Sequence, residues 1–220
     1  MRAFPVSLIL VAALAACDPG PTSPTNWRDD NIALEQLCGQ HTETQSHWGS
    51  DCGQPGPACL RDKYFLELFP EGLYVGCGEL TINLLSSHAV AANLPSVGKA
   101  RALYLSEVGA FDGKNDPLVG TALFGQAVAL ALNIEFSTVP EFAGAGDELL
   151  PLGDLVVADP DSPCTGMTTQ QVLDEANAAL GACDSVFPPE VIHSCVVAIN
   201  KAFADGNRCS DLLAQADELR

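Results

Sequence analysis

Eight cysteines in two groups constrain the fold of this chain more than any other feature of its sequence. The first group is Cys38, Cys52, Cys59 and Cys77, and the second is Cys164, Cys183, Cys195 and Cys209. An even number of cysteines in an exported chain is typical of disulfide bonds, which form outside the reducing cytosol. The spacing therefore predicts four disulfides, and we expect each cysteine to pair within its own group.

Zinc is the alternative for the first group, because His41 and His47 lie between Cys38 and Cys52. Structural zinc sites normally bring their ligands in tight pairs such as Cys-x2-Cys. Only Cys38 and His41 come close to that spacing. Disulfides remain the prediction, and no metal or other cofactor is expected.

The N-terminus has the pattern of an export signal. Arg2 precedes an apolar run from about Val6 to Leu14, and the small residues Ala15 and Ala16 follow it. The run is shorter than the roughly 20 residues that a membrane-spanning helix needs. Residues 1–16 are therefore predicted to be a signal peptide.

The four residues from Leu14 to Cys17, "LAAC", resemble the lipobox of bacterial lipoproteins. The resemblance implies cleavage before Cys17 and acylation of its sulfur, for example with palmitate, which with a second chain gives stable membrane anchoring. Residues 17–26 then form a lipidated tether rich in Pro, Gly, Ser and Thr. The alternative is an ordinary secreted protein with Cys17 in a disulfide. We expect a lipid-anchored protein of the bacterial cell envelope; Asp18 resembles a signal for inner-membrane retention, and the choice of membrane stays open.

Composition narrows the classes of partner. Hydrophobic residues make up 47% of the chain, which excludes a disordered protein, and the formal net charge is −18. Nucleic acid and bare anionic lipid surfaces repel a chain of this charge. The expected partners are the membrane, through the acyl chains, and a protein or carbohydrate at the envelope.

Hydrophobic periodicity predicts several elements in the first half of the body. Residues 27–38 are expected to form a short helix, residues 39–59 a loop and residues 60–69 a helix. Within residues 79–86, apolar Leu80, Ile82 and Leu84 alternate with Thr81 and Asn83, which predicts a half-buried strand. Ser87 is expected to cap a helix that ends before Pro95.

Residues 117–134 form the longest segment without a charge. Asp116 is the expected N-cap of a helix, and Pro117 suits its first turn. Gln126 and Asn133 dilute the apolar character of the segment, and no basic flank sets a membrane orientation. The prediction is a helix buried on all sides, and the alternative is a second contact with the membrane.

The last third of the chain has clear helix signals. Thr168 and Gln171 form a capping box that predicts a helix as far as Gly181. A strand is expected at 155–157, a helix within 188–206 and a last short helix capped by Ser210. The predicted fold class is α+β, mainly helical with a few short strands, in a single compact disulfide-stapled domain over residues 27–220.

The body also resembles an uncharacterised module found in secreted and surface proteins of bacteria. The resemblance implies an extracellular setting and one compact domain, and it implies no reaction. Members usually carry glycine after a Thr-Gln pair, where this chain has Ser46 and His47. The matching stretches are "TQSHWG" at 44–49, "RDKYFLELFPEG" at 61–72, "GQAVALALNIEF" at 125–136, "LGDLVV" at 152–157, "GMTTQQVLDEANAALGAC" at 166–183 and "CVVAINKAFADG" at 195–206.

Two weaker site candidates come from loops. Asp112, Asn115 and Asp116 are oxygen ligands of the kind that calcium prefers, although their spacing departs from that of an EF-hand and suits a turn equally well. Trp48, beside His47, would contact a protein or carbohydrate if its ring were exposed, and would anchor the loop if it were buried.

The sequence contains none of the common nucleophile, metalloprotease, phosphate-loop or dinucleotide motifs. We therefore expect a lipid-anchored envelope protein with a structural or surface interaction role, and assign no catalytic residue. The alternative is a secreted hydrolase with a dispersed active site. That alternative requires His41, His47 or His88 to lie within hydrogen-bond reach of a carboxylate and a nucleophile.

Overall fold

The computed structural model describes residues 39–143, 150–204 and 209–216. The predicted signal peptide, Cys17, the tether, the helix at 27–38 and Cys38 lie outside the described residues. The described part confirms the predicted fold class, since helices dominate and short strands accompany them.

The helices are α1 (Gln45–Trp48), α2 (Pro57–Leu68), α3 (Ser87–Asn93), α4 (Ala122–Phe136), α5 (Pro140–Ala143), α6 (Thr169–Leu180) and α7 (Pro189–Ala202). Short 3-10 turns lie at Leu105–Glu107 and Leu152–Asp154. The strands are β1 (Leu73–Cys77), β2 (Leu80–Leu84), β3 (Gly109–Phe111), β4 (Val156–Val157) and β5 (Leu213–Ala214).

Helix α4 is the centre of the molecule, and it packs against α6 and α7. Almost every side chain of α4 is buried, which confirms the prediction of a helix covered on all sides. The helix begins later than predicted: Thr121 is its N-cap, and Asp116 lies in the preceding loop. Within the described ranges, no helix is long and apolar enough to cross a membrane.

Helices α6 and α7 each bury one stripe against α4. The capping box predicted for α6 is present, since the Thr168 hydroxyl accepts from the Gln171 amide (3.1 Å) and the Gln171 side chain accepts from the Thr168 amide (2.8 Å). Helix α7 buries Ile192, Val196 and Ile199, as its periodicity predicted. Local sequence signals therefore position this layer well.

The main sheet has the order β1-β2-β3, with β1 antiparallel and β3 parallel to β2. Strand β2 is the predicted one, whereas the sequence reading missed β1, which pairs with β2 across a turn at Gly78 and Glu79. Gly78 adopts φ +59°, a left-handed conformation that glycine accepts without strain. The N-cap of α3 is Ser86, one residue before the predicted Ser87.

The prediction of a last helix capped by Ser210 is wrong. Leu213 and Ala214 instead form β5, which pairs antiparallel with β4. Both residues are buried, so their backbone N–H and C=O groups need hydrogen-bond partners. Pairing with β4 supplies these partners, whereas a single turn of helix would leave several of the groups unpaired.

Every cysteine of the described ranges is disulfide-bonded. Cys52 pairs with Cys59, Cys77 with Cys183 and Cys164 with Cys195, and Cys209 is bonded as well. The first and third pairs join cysteines of one group, but Cys77–Cys183 joins the two groups. The expectation of pairing only within groups is therefore wrong, because β1 packs against α6 and brings Cys77 to the end of that helix.

Candidate functional site

The segment from Gln40 to Trp48 contacts α4 and α7 and buries several polar side chains. Gln40, Thr42 and Glu43 are all less than 10% exposed. The Thr42 hydroxyl donates to the Asn200 carbonyl (3.0 Å) and accepts from the Phe203 amide (3.1 Å). These bonds attach the segment to the C-terminal end of α7.

Asn133, near the C-terminal end of α4, holds the same segment through its side-chain amide. Its oxygen accepts from the Glu43 amide (2.8 Å) and from the Trp48 indole (3.0 Å). Its nitrogen donates to the Glu43 carbonyl (2.9 Å) and to the Asn200 side chain (2.9 Å). Asn200 in turn donates to both oxygens of Gln126. A fully buried amide network therefore fixes the backbone of Glu43 and the indole of Trp48.

The Glu43 carboxylate lies between two imidazoles. One oxygen is 2.8 Å from His41 Nε2, and the other is hydrogen-bonded to His47 Nδ1. Burial alone would raise the pKa of Glu43, but the hydrogen bonds and charges of the two histidines outweigh it and hold this pKa below its usual value. Glu43 is therefore a carboxylate that keeps its charge in a nearly buried position.

His41 is held in place on two sides. Its ring stacks on Phe142 with the centroids 4.5 Å apart, and its Nδ1 lies 3.1 Å from the Phe142 carbonyl. The carbonyl and the Glu43 carboxylate are both acceptors, whereas a neutral imidazole offers only one N–H. A neutral imidazole can therefore donate to only one of these two acceptors.

Trp48 is fully buried, so it anchors the segment and is not a surface for ligand contact. Its ring packs against Phe136 and Phe142, with centroids 4.9 and 5.3 Å away. Arg61, itself buried on α2, donates to the Trp48 carbonyl and to the Ser50 carbonyl. The predicted loop at 39–59 thus contains a short helix, α1, fixed from both sides.

An open cleft of about 460 Å³ lies over Glu43 and His47. Ser50 lines it on one side, and the loop at 51–58 forms the opposite wall. The Cys52–Cys59 disulfide closes that loop at its ends. The cleft therefore combines a rigid polar floor with a wall rich in glycine and proline.

The cleft contains some of the groups that a hydrolase needs. Glu43 orients His47 through Nδ1, as the acid orients the histidine in a catalytic triad. Ser50 is the nearby hydroxyl, but its Oγ donates to the Ser46 carbonyl (2.8 Å) and not to an imidazole. The arrangement can bind and polarise a ligand, while an activated nucleophile is not assembled in it.

The other predicted site residues have structural roles. The Asp116 carboxylate accepts from the amides of Asp112 (3.1 Å) and Gly113 (2.7 Å), which closes a turn. In the part of the chain that the structure describes, no three His, Cys, Asp or Glu residues are grouped so that they could hold a metal ion. His193 is half-buried on α7, and burial lowers its pKa.

A second buried carboxylate, Glu107, lies beside the sheet. Arg101 contacts it with two parallel hydrogen bonds (2.7 and 2.8 Å), and the amides of Tyr104 and Gly120 donate to it at 2.8 and 2.9 Å. The Arg101 hydrogen bonds, aided by the two amides, lower the pKa of Glu107 to about 2 although burial opposes the shift. This group fixes the loop before α4.

Sequence reasoning missed Glu43, Asn133 and Asn200. A signal for Asn133 existed, since an amide within an apolar helix must find a partner when the helix is buried. Glu43 lies two residues after His41 and four before His47, but the sequence does not show that both rings turn onto its carboxylate.

Comparison with known proteins gives no match: no family model, no curated protein and no solved structure is similar to this chain. The class of protein is therefore defined by its own features, as a disulfide-stapled α+β domain with a cleft over a paired carboxylate and imidazole.

Proposed function

We propose that the chain is a lipid-anchored protein of the bacterial cell envelope and acts as a structural or surface interaction module. The cleft over Glu43 and His47 is its binding site for a protein or carbohydrate. One observation carries this assignment: a buried amide network fixes the polar floor of an open cleft.

Buried polar groups stabilise a fold less than apolar groups of the same shape unless all their hydrogen bonds are made. Asn133, Asn200 and Thr42 satisfy theirs, and together they fix Glu43 and its neighbour Trp48. A rigid set of polar groups in a mostly apolar cleft is the usual arrangement for specific ligand recognition. We therefore assign recognition to this cleft.

The membrane anchor is proposed from the sequence around Cys17. The test is the intact mass of the protein from its native host. Cleavage before Cys17 with added acyl mass is expected, and Cys17→Ser should release the protein into the soluble fraction. A mature chain without acyl mass would contradict the anchor.

The cleft is tested by photo-crosslinking in cells. A photoreactive residue at Gln54, on the exposed wall, is expected to give a crosslinked species that disappears when His47→Ala is added. The control position is Gln170, which is exposed on α6. Crosslinking at Gln54 that is absent, or that persists with His47→Ala, would contradict recognition in the cleft.

A secreted hydrolase is the second candidate, favoured by the Glu43–His47 pair with Ser50 on the same cleft. Treatment with a fluorophosphonate, which labels activated serines, separates the two proposals. The interaction module is expected to remain unlabelled. Labelling that is lost in both Ser50→Ala and His47→Ala would favour the hydrolase.

A further inference from the structure

We infer that the Cys52–Cys59 disulfide is a thiol-exchange site, which an external thiolate opens by attacking Cys52, and that its oxidation state sets the shape of the cleft wall. The exchange chemistry is independent of the proposed binding function. Only its consequence for ligand binding rests on that function.

Three disulfides have both cysteines in the described residues, and access to sulfur distinguishes Cys52–Cys59 from Cys164–Cys195. Cys164 and Cys195 are 0% and 3% exposed, so an external thiolate has no path to them. Cys52 is exposed and Cys59 is half-buried, within a loop that is itself mostly exposed. Thiol–disulfide exchange requires in-line approach to one sulfur, and Cys52 offers it.

Cys52–Cys59 differs from Cys77–Cys183 in its position relative to a helix end. Cys59 is the third residue of α2, where the positive end of the helix dipole stabilises a thiolate. Cys183 follows the C-terminal end of α6, and Cys77 Sγ lies 3.7 Å from the Ala178 carbonyl there. Cys59 thus lies at the positive end of a helix dipole and Cys77 at a negative end, which makes Cys59 the better leaving group although the Gln54 carbonyl lies 3.2 Å from its sulfur.

The surrounding fold allows the Cys52–Cys59 bond to open without loss of the core. Only seven positions separate its cysteines, whereas 106 separate Cys77 from Cys183. Helix α2 has other attachments, because Phe65 is buried and Arg61 holds the Trp48 carbonyl. Opening the bond therefore frees the wall at 51–58 and leaves the floor at Glu43 in place.

The reaction balances with two thiols. The first thiolate bonds to Cys52 Sγ, the Cys52–Cys59 bond breaks, and its electron pair leaves as the Cys59 thiolate. A second thiolate attacks the sulfur of the first and releases Cys52 as a thiolate with an external disulfide as the product. The Cys59 thiolate then persists at the helix end, or takes a proton and donates to the Gln54 carbonyl, 3.2 Å away.

Stepwise reduction of the folded, non-acylated protein tests the proposal. Samples in graded dithiothreitol are alkylated and mapped by mass spectrometry, with Cys77–Cys183 and Cys164–Cys195 as internal controls. We expect Cys52 and Cys59 to be alkylated at least tenfold faster than the other four, with an unchanged circular dichroism spectrum. Equal rates for Cys52–Cys59 and Cys77–Cys183, or unfolding together with the first reduction, would overturn the proposal.

A second measurement tests whether the N-terminal end of α2 favours the Cys59 thiolate. Iodoacetamide rates against pH are compared for the single thiol of Cys52→Ser and that of Cys59→Ser. The proposal requires the Cys59 thiol to ionise at a lower pH than the Cys52 thiol. The reverse order would remove Cys59 as the leaving group.

Discussion

The helical layer of α4, α6 and α7 and the segment from Gln40 to Trp48 are held by different interactions. The layer is joined by apolar stripes such as Ile192, Val196 and Ile199, which lie at helical spacing. The segment has no such stripe and is held by hydrogen bonds to Asn133 and Asn200. Apolar packing tolerates small shifts, whereas a hydrogen-bonded segment keeps one position, which suits the floor of a binding cleft.

The largest effect is expected from Asn133→Ala, which leaves the amide and carbonyl of Glu43, the Trp48 indole and Asn200 without their partner. Each unmet buried group costs roughly 1–3 kcal/mol, and with partial relaxation we expect a loss of about 4 kcal/mol in the free energy of unfolding. Urea unfolding measures it. Leu130→Ala, in the same helix, is the matched control and should cost about 3 kcal/mol through its cavity.

Tryptophan fluorescence separates these two variants in the folded state. Asn133→Ala frees the Trp48 indole and should shift the emission, whereas Leu130→Ala should not. A cost below about 1 kcal/mol for Asn133→Ala would show that the segment is held by packing after all, and the contrast between the two regions would disappear.

Glu107→Gln is expected to have the next largest effect, and one that depends on pH. The pKa of Glu107 is about 2 in the folded protein against about 4.5 when unfolded, a difference worth about 3 kcal/mol at full strength. Arg101 is 25% exposed, so solvent screening reduces this to about 2 kcal/mol.

The sign of this pH dependence follows from the lowered pKa. Stabilisation by ionised Glu107 is complete above the unfolded pKa and is lost as the pH falls from about 4.5 through 2. Urea unfolding of the native protein and of Glu107→Gln should therefore differ at pH 6 and converge near pH 2. Asn133 is neutral, so the cost of Asn133→Ala should not disappear between pH 6 and pH 2. If the native protein and Asn133→Ala also converged in stability near pH 2, acid would be weakening the whole fold.

The helical layer was predictable from the sequence because the signals that define its helices are local. The capping box at Thr168 and the stripe of α7 are complete within a few turns of chain. Strand β5 was missed because it is defined by β4, which lies far from it in the sequence. A two-residue strand carries no periodicity that could reveal it. Strand β1 was missed although its partner β2 follows after the two-residue turn at Gly78 and Glu79, a local hairpin signal.

The candidate site was predictable only in part. His41 and His47 were recognised as possible ligands, but their common partner Glu43 was not, because acids are frequent in a chain of this charge. The Cys77–Cys183 bond was missed because it depends on the contact between β1 and α6, which are distant in sequence.

Glu43→Gln is expected to have a smaller effect on stability than Glu107→Gln, about 1–2 kcal/mol at pH 7, because a neutral amide replaces a charged acceptor of two hydrogen bonds. The pKa of Glu43 is lowered in the folded protein, so this stabilisation is present at neutral pH and is lost on acidification. Unfolding at pH 7 and pH 3 measures the difference. Glu141→Gln is the control, since Glu141 binds Lys63 at the surface and its loss should leave stability unchanged.

The smallest effects compare two threonine caps, one in each region. Thr168→Ala removes a capping-box hydrogen bond of 3.1 Å from a helix of 12 residues and should cost about 1 kcal/mol. Thr44→Ala removes a longer contact of 3.4 Å from the four-residue α1, and should leave the melting temperature within error. Helix α1 is positioned by Asn133 and Arg61 through Trp48, so its cap adds little to bonds that already fix it. If Thr44→Ala proved as costly as Thr168→Ala, local capping and not the buried network would be what holds the cleft floor.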